Sequence, residues 1–330
     1  MLTRRTLLAA PLLATAVAPW PGPWHAMAAV GDMPAGTITI VVSFPAGGST
    51  DVVIRAVAAK MQARLGRPVI VENRAGAAGA LAAAFVAKAN PDGLTLLASP
   101  SSLAANPTLS KSLPFDTLKD LQAVSYVFGT PLVLVVNAQL PVRSIAELIA
   151  LMKQKPGTLN YAHGGPGSAI QLAAEMFQAM TGTKMNGIAY RGAPLALNDV
   201  IAGHVALMFA DVGSVATLLQ GEQLRALGVT STERVPVMPE VPTVAEAIPG
   251  FDAVGWSLIA APSATPRPVI DLLAKELSIA AQEPDVQALI EKLGALPAKS
   301  PSPDELQTFL ASEIARWGAL IERTGAAKSQ

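Results

Sequence analysis

Twice along this chain a run of strand-forming residues halts at a glycine turn and passes at once into a helix. The first instance is Ile38-Thr39-Ile40-Val41-Val42, followed by Phe44-Pro45-Ala46-Gly47-Gly48 and then Ser49-Thr50-Asp51. Beyond it Val53, Ile54, Val57, Met61 and Leu65 recur at helical spacing. The second is "LNYAHGGPGSAIQLAAEMF", where His163, Gly164, Gly165, Gly167 and Ser168 stand before the helix. A strand, a glycine turn and a helix start bring unpaired backbone N–H groups to the positive end of a helix dipole, which makes an anion site. Two such turns at equivalent places in two α/β halves point to a carboxylate or phosphate held between helix starts, at the carboxyl ends of the strands.

The pattern between and after these turns is α/β. Strand "RPVIVEN", a Gly/Ala-rich turn, a helix over 77–88, the turn Asn90-Pro91-Asp92-Gly93 and strand "LTLLAS" continue the first half. Strand "TPLVLVVN" opens the second, which runs through strands "TLNYAHGG", "KMNGIAYRG", "HVALMFAD" and "LRALGVT" with helices between them. Right-handed crossovers make such sheets mainly parallel. From Val235 to Pro268 proline becomes frequent, as in extended segments that cross between lobes. The remainder is helical, and Ser302-Pro303-Asp304-Glu305 reads as a capping box. With one strand's worth of sequence among them, these last helices cannot build a third domain. The chain is therefore expected to cross back, giving one lobe from 37–136 plus 255–330 and another from 137–254.

The first 28 residues read as a separate object. Arg4-Arg5, an apolar stretch from Leu7 to Val17 and Ala26-Met27-Ala28 form an export signal, with cleavage expected near Ala28. The paired arginines resemble a twin-arginine signal, with Sec export as the alternative. Its removal takes Arg4 and Arg5 from 24 basic residues set against 24 acidic ones, a formal charge of −2. That charge leaves no basic surplus for nucleic acid or anionic lipid. The composition is 51% hydrophobic, yet past the leader no unbroken apolar run approaches the roughly 20 residues of a membrane span. The absence of cysteine excludes disulfides, and His163 and His204 alone after the leader make a zinc site a poor expectation, so no metal or cofactor is predicted.

Neither turn matches a catalytic or nucleotide motif. No lysine follows Gly48 as a Walker loop needs, Asp51 stands where a nucleophile elbow requires glycine, and Ile170 occupies the third glycine position of a dinucleotide fingerprint. Without an acid and a base placed beside a nucleophile, an enzyme is not expected. Several side chains have two readings. Ser49 or Thr50 could simply cap the helix, with Asp51 complementing its dipole. Asp211, at the end of "HVALMFAD", either faces the crevice or caps the next helix. Ser99 and Ser101 after "LTLLA" either hydrogen-bond a ligand or form a turn. His163 either meets a carboxylate or is structural, and Trp256 either covers a ligand or is core.

Taken together, "ITIVVSFPAGGSTDVVIRAVA", "VIVENRAGAAGALAAAFVAKANPDGLTLL", "LNYAHGGPGSAIQLAAEMF", "MPEVPTVAEA" and "APSATPRPVI" resemble the Bug family, solute-binding proteins of tripartite tricarboxylate transporters. The similarity runs from about residue 37 to the terminal helix. It implies a type II periplasmic-binding fold, two α/β lobes around a ligand cleft, with a ligand carboxyl group gripped by Phe44 to Asp51 and by His163 to Ser168. It also implies a small organic carboxylate as ligand, a periplasmic monomer, and delivery to membrane permease subunits or, in some members, to a sensor kinase. The chain departs from many relatives at His163, where they carry a small residue, and at Gln171, where they carry histidine.

Overall fold

Strand β1 (Ile38–Val42) is almost wholly buried, as expected of a β-branched run covered on both faces by helices. Gly48 ends the following turn and α1 (Ser49–Leu65) begins, burying Val53, Ile54, Val57, Ala58 and Met61 along one stripe. The helix stops at Gly66, whose left-handed backbone, φ 62°, returns its N–H to the Gln62 carbonyl. The computed structural model describes residues 33–323, apart from 166, 167, 191, 217, 298 and 299. The export signal and Gly167 thus lie outside the described residues.

The first half continues with β2 (Val69–Asn73), α2 (Ala80–Ala87), β3 (Thr95–Pro100), α3 (Ser102–Leu109), α4 (Thr117–Asp120) and β4 (Leu121–Thr130). The second half comprises β5 (Leu132–Asn137), α5 (Ile145–Gln154), β6 (Asn160–His163), α6 (Ala169–Thr181), β7 (Asn186–Ala189), α7 (Ala193–Ile201), β8 (Leu207–Asp211), α8 (Val212–Val215), β9 (Leu224–Val229) and α9 (Val244–Ala247). Then come β10 (Gly255–Pro262), α10 (Arg267–Ala281), α11 (Pro284–Lys292), β11 (Leu296–Pro297) and α12 (Pro303–Arg323). The strands form two sheets, β11-β4-β10-β3-β1-β2 and β7-β6-β8-β5-β9.

The two-lobed α/β class read from the sequence holds, but the sheets are mixed rather than mainly parallel. Among the described residues four strand pairings are parallel and five antiparallel. The cause is the pair of lobe crossings. A single residue, Pro131, separates β4 from β5, so β5 enters the second sheet directly, without a helical crossover, and lies antiparallel between β8 and β9. Likewise β10 returns to the first sheet antiparallel between β3 and β4. The boundary expected between 136 and 137 is therefore corrected: β5 pairs entirely within the second sheet, and the crossing falls at Pro131.

The crossings run side by side. Leu132 donates its N–H to the Thr230 hydroxyl at 2.8 Å, Thr230 returns its own N–H to the Leu132 carbonyl at 2.8 Å, and Gly255 registers against Thr130. Helices α10, α11 and α12 pack against the first sheet, whose two faces carry separate apolar clusters. The second sheet has its own, centred on Phe177, Phe209 and Phe251, with ring centroids 6.0 to 6.4 Å apart. Each such fully buried side chain contributes about 1.5–3 kcal/mol. Leu172 of α6 packs into the cluster that holds Trp256 and the α12 side chains, so the lobes also meet beside the crossings.

Candidate functional site

The first turn is built around Asp51. Gly47 adopts φ 87°, a conformation that costs a side-chain-bearing residue energy, and donates its N–H to Asp51 Oδ2 at 2.9 Å. Arg55, one helical turn on, donates Nε to both carboxylate oxygens at 3.0 and 3.1 Å. Asn73 at the end of β2 donates to Oδ1 at 2.9 Å and to the Phe44 carbonyl at 3.1 Å, tying the turn to the sheet. Burial opposes ionisation of Asp51, but the bonds from Arg55, Gly47 and Asn73 outweigh it and hold the carboxyl below its usual range.

Neither Ser49 nor Thr50 caps α1. Its N-cap is Gly48, which has no side chain to offer, and the first intrahelical bond runs from Val52 N–H to the Gly48 carbonyl at 3.0 Å. The N–H groups of Ser49, Thr50 and Asp51 are left at the positive end of the 17-residue helix. They open on a cavity of about 210 Å³ between the lobes. Its first wall is Phe44, Pro45, Gly48, Ser49, Thr50 and Asp51; Pro100 at the end of β3, Ser101 just after it and Thr130 at the crossing form the second. Gly255 and Trp256 at the start of β10 close the back, and Ala169 and Asp211 face them from the other lobe. The site thus lies at the carboxyl ends of β1, β3 and β8.

Trp256 is both wall and core. Its indole N–H donates to Glu313 Oε2 of α12 at 2.8 Å, and Trp317 donates to the same oxygen at 2.9 Å. A buried carboxylate bonded by two indoles and by Arg316 holds the ring rigidly against the cavity.

The other expected residues fall around the cavity. Ala46 and Gly47 are exposed and outside its lining. Ser99 is buried one layer behind, accepting the Ser43 hydroxyl at 3.1 Å, so it braces the turn and does not reach the cavity. His163, Gly164, Gly165 and Ser168 are also outside the lining. His163 is buried, with Nδ1 3.0 Å from the Gly165 carbonyl; burial lowers its pKa and the Gly165 bond only partly offsets this. Ser168 caps α6, its Oγ accepting the Gln171 N–H at 3.3 Å, while its own N–H donates to the Gly165 carbonyl at 3.2 Å. Among its described residues, the second turn therefore reaches the cavity through Ala169.

Asp211 differs from Asp51, the other charged residue among those described in the lining. It is the N-cap residue of α8 by position, yet its side chain makes no capping bond, so the capping reading fails. It is half-buried at the cavity, and burial raises its carboxyl pKa against the opposing effect of its own backbone N–H. No Lys, Arg or His lines the cavity among the described residues. Sequence reading missed Pro100, Thr130, Ala169 and Gly255. Thr130 was findable from Pro131, which breaks a strand run; Ala169 carries no side-chain signal at all.

This geometry can be set beside known proteins. A profile described as the tripartite tricarboxylate transporter family receptor matches residues 53–326. The chain belongs to that family. It is 40% identical to protein BugT of Bordetella pertussis over 296 residues, 89% of this chain and 90% of that one. Among solved receptors, an R. palustris protein, Rpa4515 with adipate, is 31% identical with a TM-score of 0.75, covering 88% of this chain and 97% of its own. MatC from Rhodopseudomonas palustris with bound malate is 32% identical with a TM-score of 0.72, covering 86% and 98%. The family is one of periplasmic solute-binding receptors, and among the described residues no helix is long and apolar enough to cross a membrane.

Proposed function

We propose that this receptor captures a small organic carboxylate between its lobes in the periplasm and delivers it, chemically unchanged, to the membrane permease subunits of a tripartite tricarboxylate-type transporter. The observation that carries this reading is the inter-lobe cavity on which the N–H groups of Ser49, Thr50 and Asp51 open at the start of α1. In this reading one ligand carboxyl group accepts from those donors and from the hydroxyls of Ser49, Thr50 and Ser101, while Ala169 closes over it from the second lobe. Charge-assisted hydrogen bonds of about 1.5–3 kcal/mol each need only a few members to reach micromolar affinity, about 8 kcal/mol. Phe44, Pro45 and Trp256 supply the apolar walls. His163, Gly164, Gly165 and Ser168 act one layer back, shaping the turn that presents Ala169. The receptor works as a monomer after loss of residues 1–28.

Thermal unfolding of the exported protein, refolded to strip any bound solute and challenged with a panel of small carboxylates, tests this. A ligand at a hundredfold excess over its Kd adds about 2.7 kcal/mol, a readily visible shift. Recovery of the ligand unchanged, with no product on prolonged incubation, is expected. Silence across the panel, or consumption of the bound acid, defeats the reading.

A further inference from the structure

Beside the crossings the lobes meet in two ways. Leu172 of α6 reaches the first lobe through side chains, which can repack, whereas α8 and the turn after α11 meet backbone to backbone. A Cβ built on Gly213 of α8 would stand 2.5 Å from the Leu293 carbonyl oxygen and 3.0 Å from its carbon. One built on Gly294 would stand 2.8 Å from both the Gly213 nitrogen and Val212 Cγ1. Non-bonded carbons settle at about 3.5–4.0 Å, so at this lobe separation both positions admit only glycine.

Topology fixes which motion presses this contact. β10 lies antiparallel to both β3 and β4, so β4 runs parallel to β3 and β1 and its carboxyl end lies at the cavity edge of the sheet. β11 lies antiparallel to β4, with Leu296 opposite Gly129. The residues just before it, Leu293 and Gly294, therefore stand beyond the carboxyl end of β4, toward the second lobe. From that lobe, Gly213 follows closely on Asp211, the cavity residue that ends β8 and registers against Leu132 next to the crossing. The contact thus lies on the cleft side of Pro131, where closure drives the lobes together. Leu296 packs against the apolar cluster of the second lobe beside it.

We propose that Gly213 and Gly294 form the stop that sets how far the lobes close: without side chains there, α8 seats on the turn between α11 and β11, and Ala169 and Asp211 are brought up to complete the cavity. The proposal rests on the receptor reading above and deepens it. Gly294 has a second task, since its left-handed backbone, φ 69°, ends α11 with its N–H on the Glu291 carbonyl at 2.8 Å. Gly213 has no such duty. Its φ lies outside the left-handed region and it is otherwise exposed, so an added methyl is felt at the Leu293 backbone. A receptor held short of closure loses apparent affinity by the fraction of molecules that can no longer close.

Calorimetry and a lobe-separation measurement on the exported protein, refolded to strip bound solute, test this. The chain has no cysteine, so spin labels at Lys111→Cys and Lys153→Cys, both exposed and one on each lobe, report the separation by pulsed dipolar spectroscopy. The probes are malate, adipate, succinate and glutamate. In Gly213→Ala the tightest-binding probe is expected to bind at least about tenfold more weakly, and the probe-saturated lobes to stay farther apart than in the parent. The probe-free melting temperature should stay within about 3 °C of the parent's. Ser214→Ala, next in the same helix, should change none of these. Equal affinity with equal separation overturns the inference while the receptor reading stands. A larger drop in the probe-free melting temperature overturns it too, because the contact is then permanent packing rather than one made on closing. If no probe binds the parent, the receptor reading fails, and the inference falls with it unless Gly213→Ala lengthens the probe-free separation.

Discussion

The two βα turns share one sequence grammar and put it to different uses. In the first, Asp51 turns back on Gly47 and Asn73, the helix begins at a glycine, and three N–H groups remain for a ligand. In the second, Ser168 caps α6 with its own hydroxyl, His163 closes on Gly165, and among the described residues of the turn only Ala169 reaches the cavity. A glycine turn before a helix is thus a capacity for anion binding, not a site. Whether donors are available depends on whether the turn satisfies them itself.

The largest effect should come from the residue that lines the cavity without shaping the turn. Gly48 has an ordinary backbone, φ −73°, and an added Cβ would meet nothing nearer than the Pro45 carbonyl at 3.7 Å. Gly48→Val should therefore fold normally yet lose about 100-fold in affinity by filling the donor end of the cavity. Normal binding by a folded variant would dissolve the distinction between the turns.

Asp51→Asn should come next, destabilising the protein by about 2 kcal/mol through loss of charge-assisted bonds in the first turn, a figure limited by the exposure of Arg55. Because the folded carboxyl lies below its ordinary value of 3.8, the stability it adds is complete above that value and is lost as pH falls through the folded pKa. Melting curves between pH 5 and pH 2 should show the parent and Asp51→Asn converging toward the acid end; parallel curves would mean that Asp51 does not organise the turn.

Gly47→Ala offers the mirror image of Gly48→Val. The space around Gly47 is open, but φ 87° penalises any Cβ, so about 1–2 kcal/mol of stability should go, with ligand affinity retained in the folded fraction. Smallest is Ser168→Ala, where loss of one cap should cost about 1 kcal/mol in the melting transition and shift affinity less than Gly48→Val does. A loss of binding as large as that of Gly48→Val would place the second turn at the ligand after all.

Much of this was legible locally. Gly66 ends α1, Ser302 and Glu305 make the reciprocal capping bonds that their spacing announces, and the β-branched run of β1 is a buried strand. Such features involve residues within a turn of one another, whose preferences follow from sterics and short-range hydrogen bonding. Less legible was the strand break at Pro131, read as one continuous "TPLVLVVN" run, and with it the antiparallel entry of β5 and β10.

By itself, then, the sequence determined the strands, turns and helix starts, the two-lobed α/β class and the family to which the chain belongs. Tertiary structure alone decided which donors remain free. Asp51 is satisfied by Asn73 from another strand, Trp256 is held by Glu313 from the last helix, and Asp211 stands at a helix start without capping it. Those outcomes depend on partners 22, 57 or more residues away, or on their absence, and no local preference carries that information.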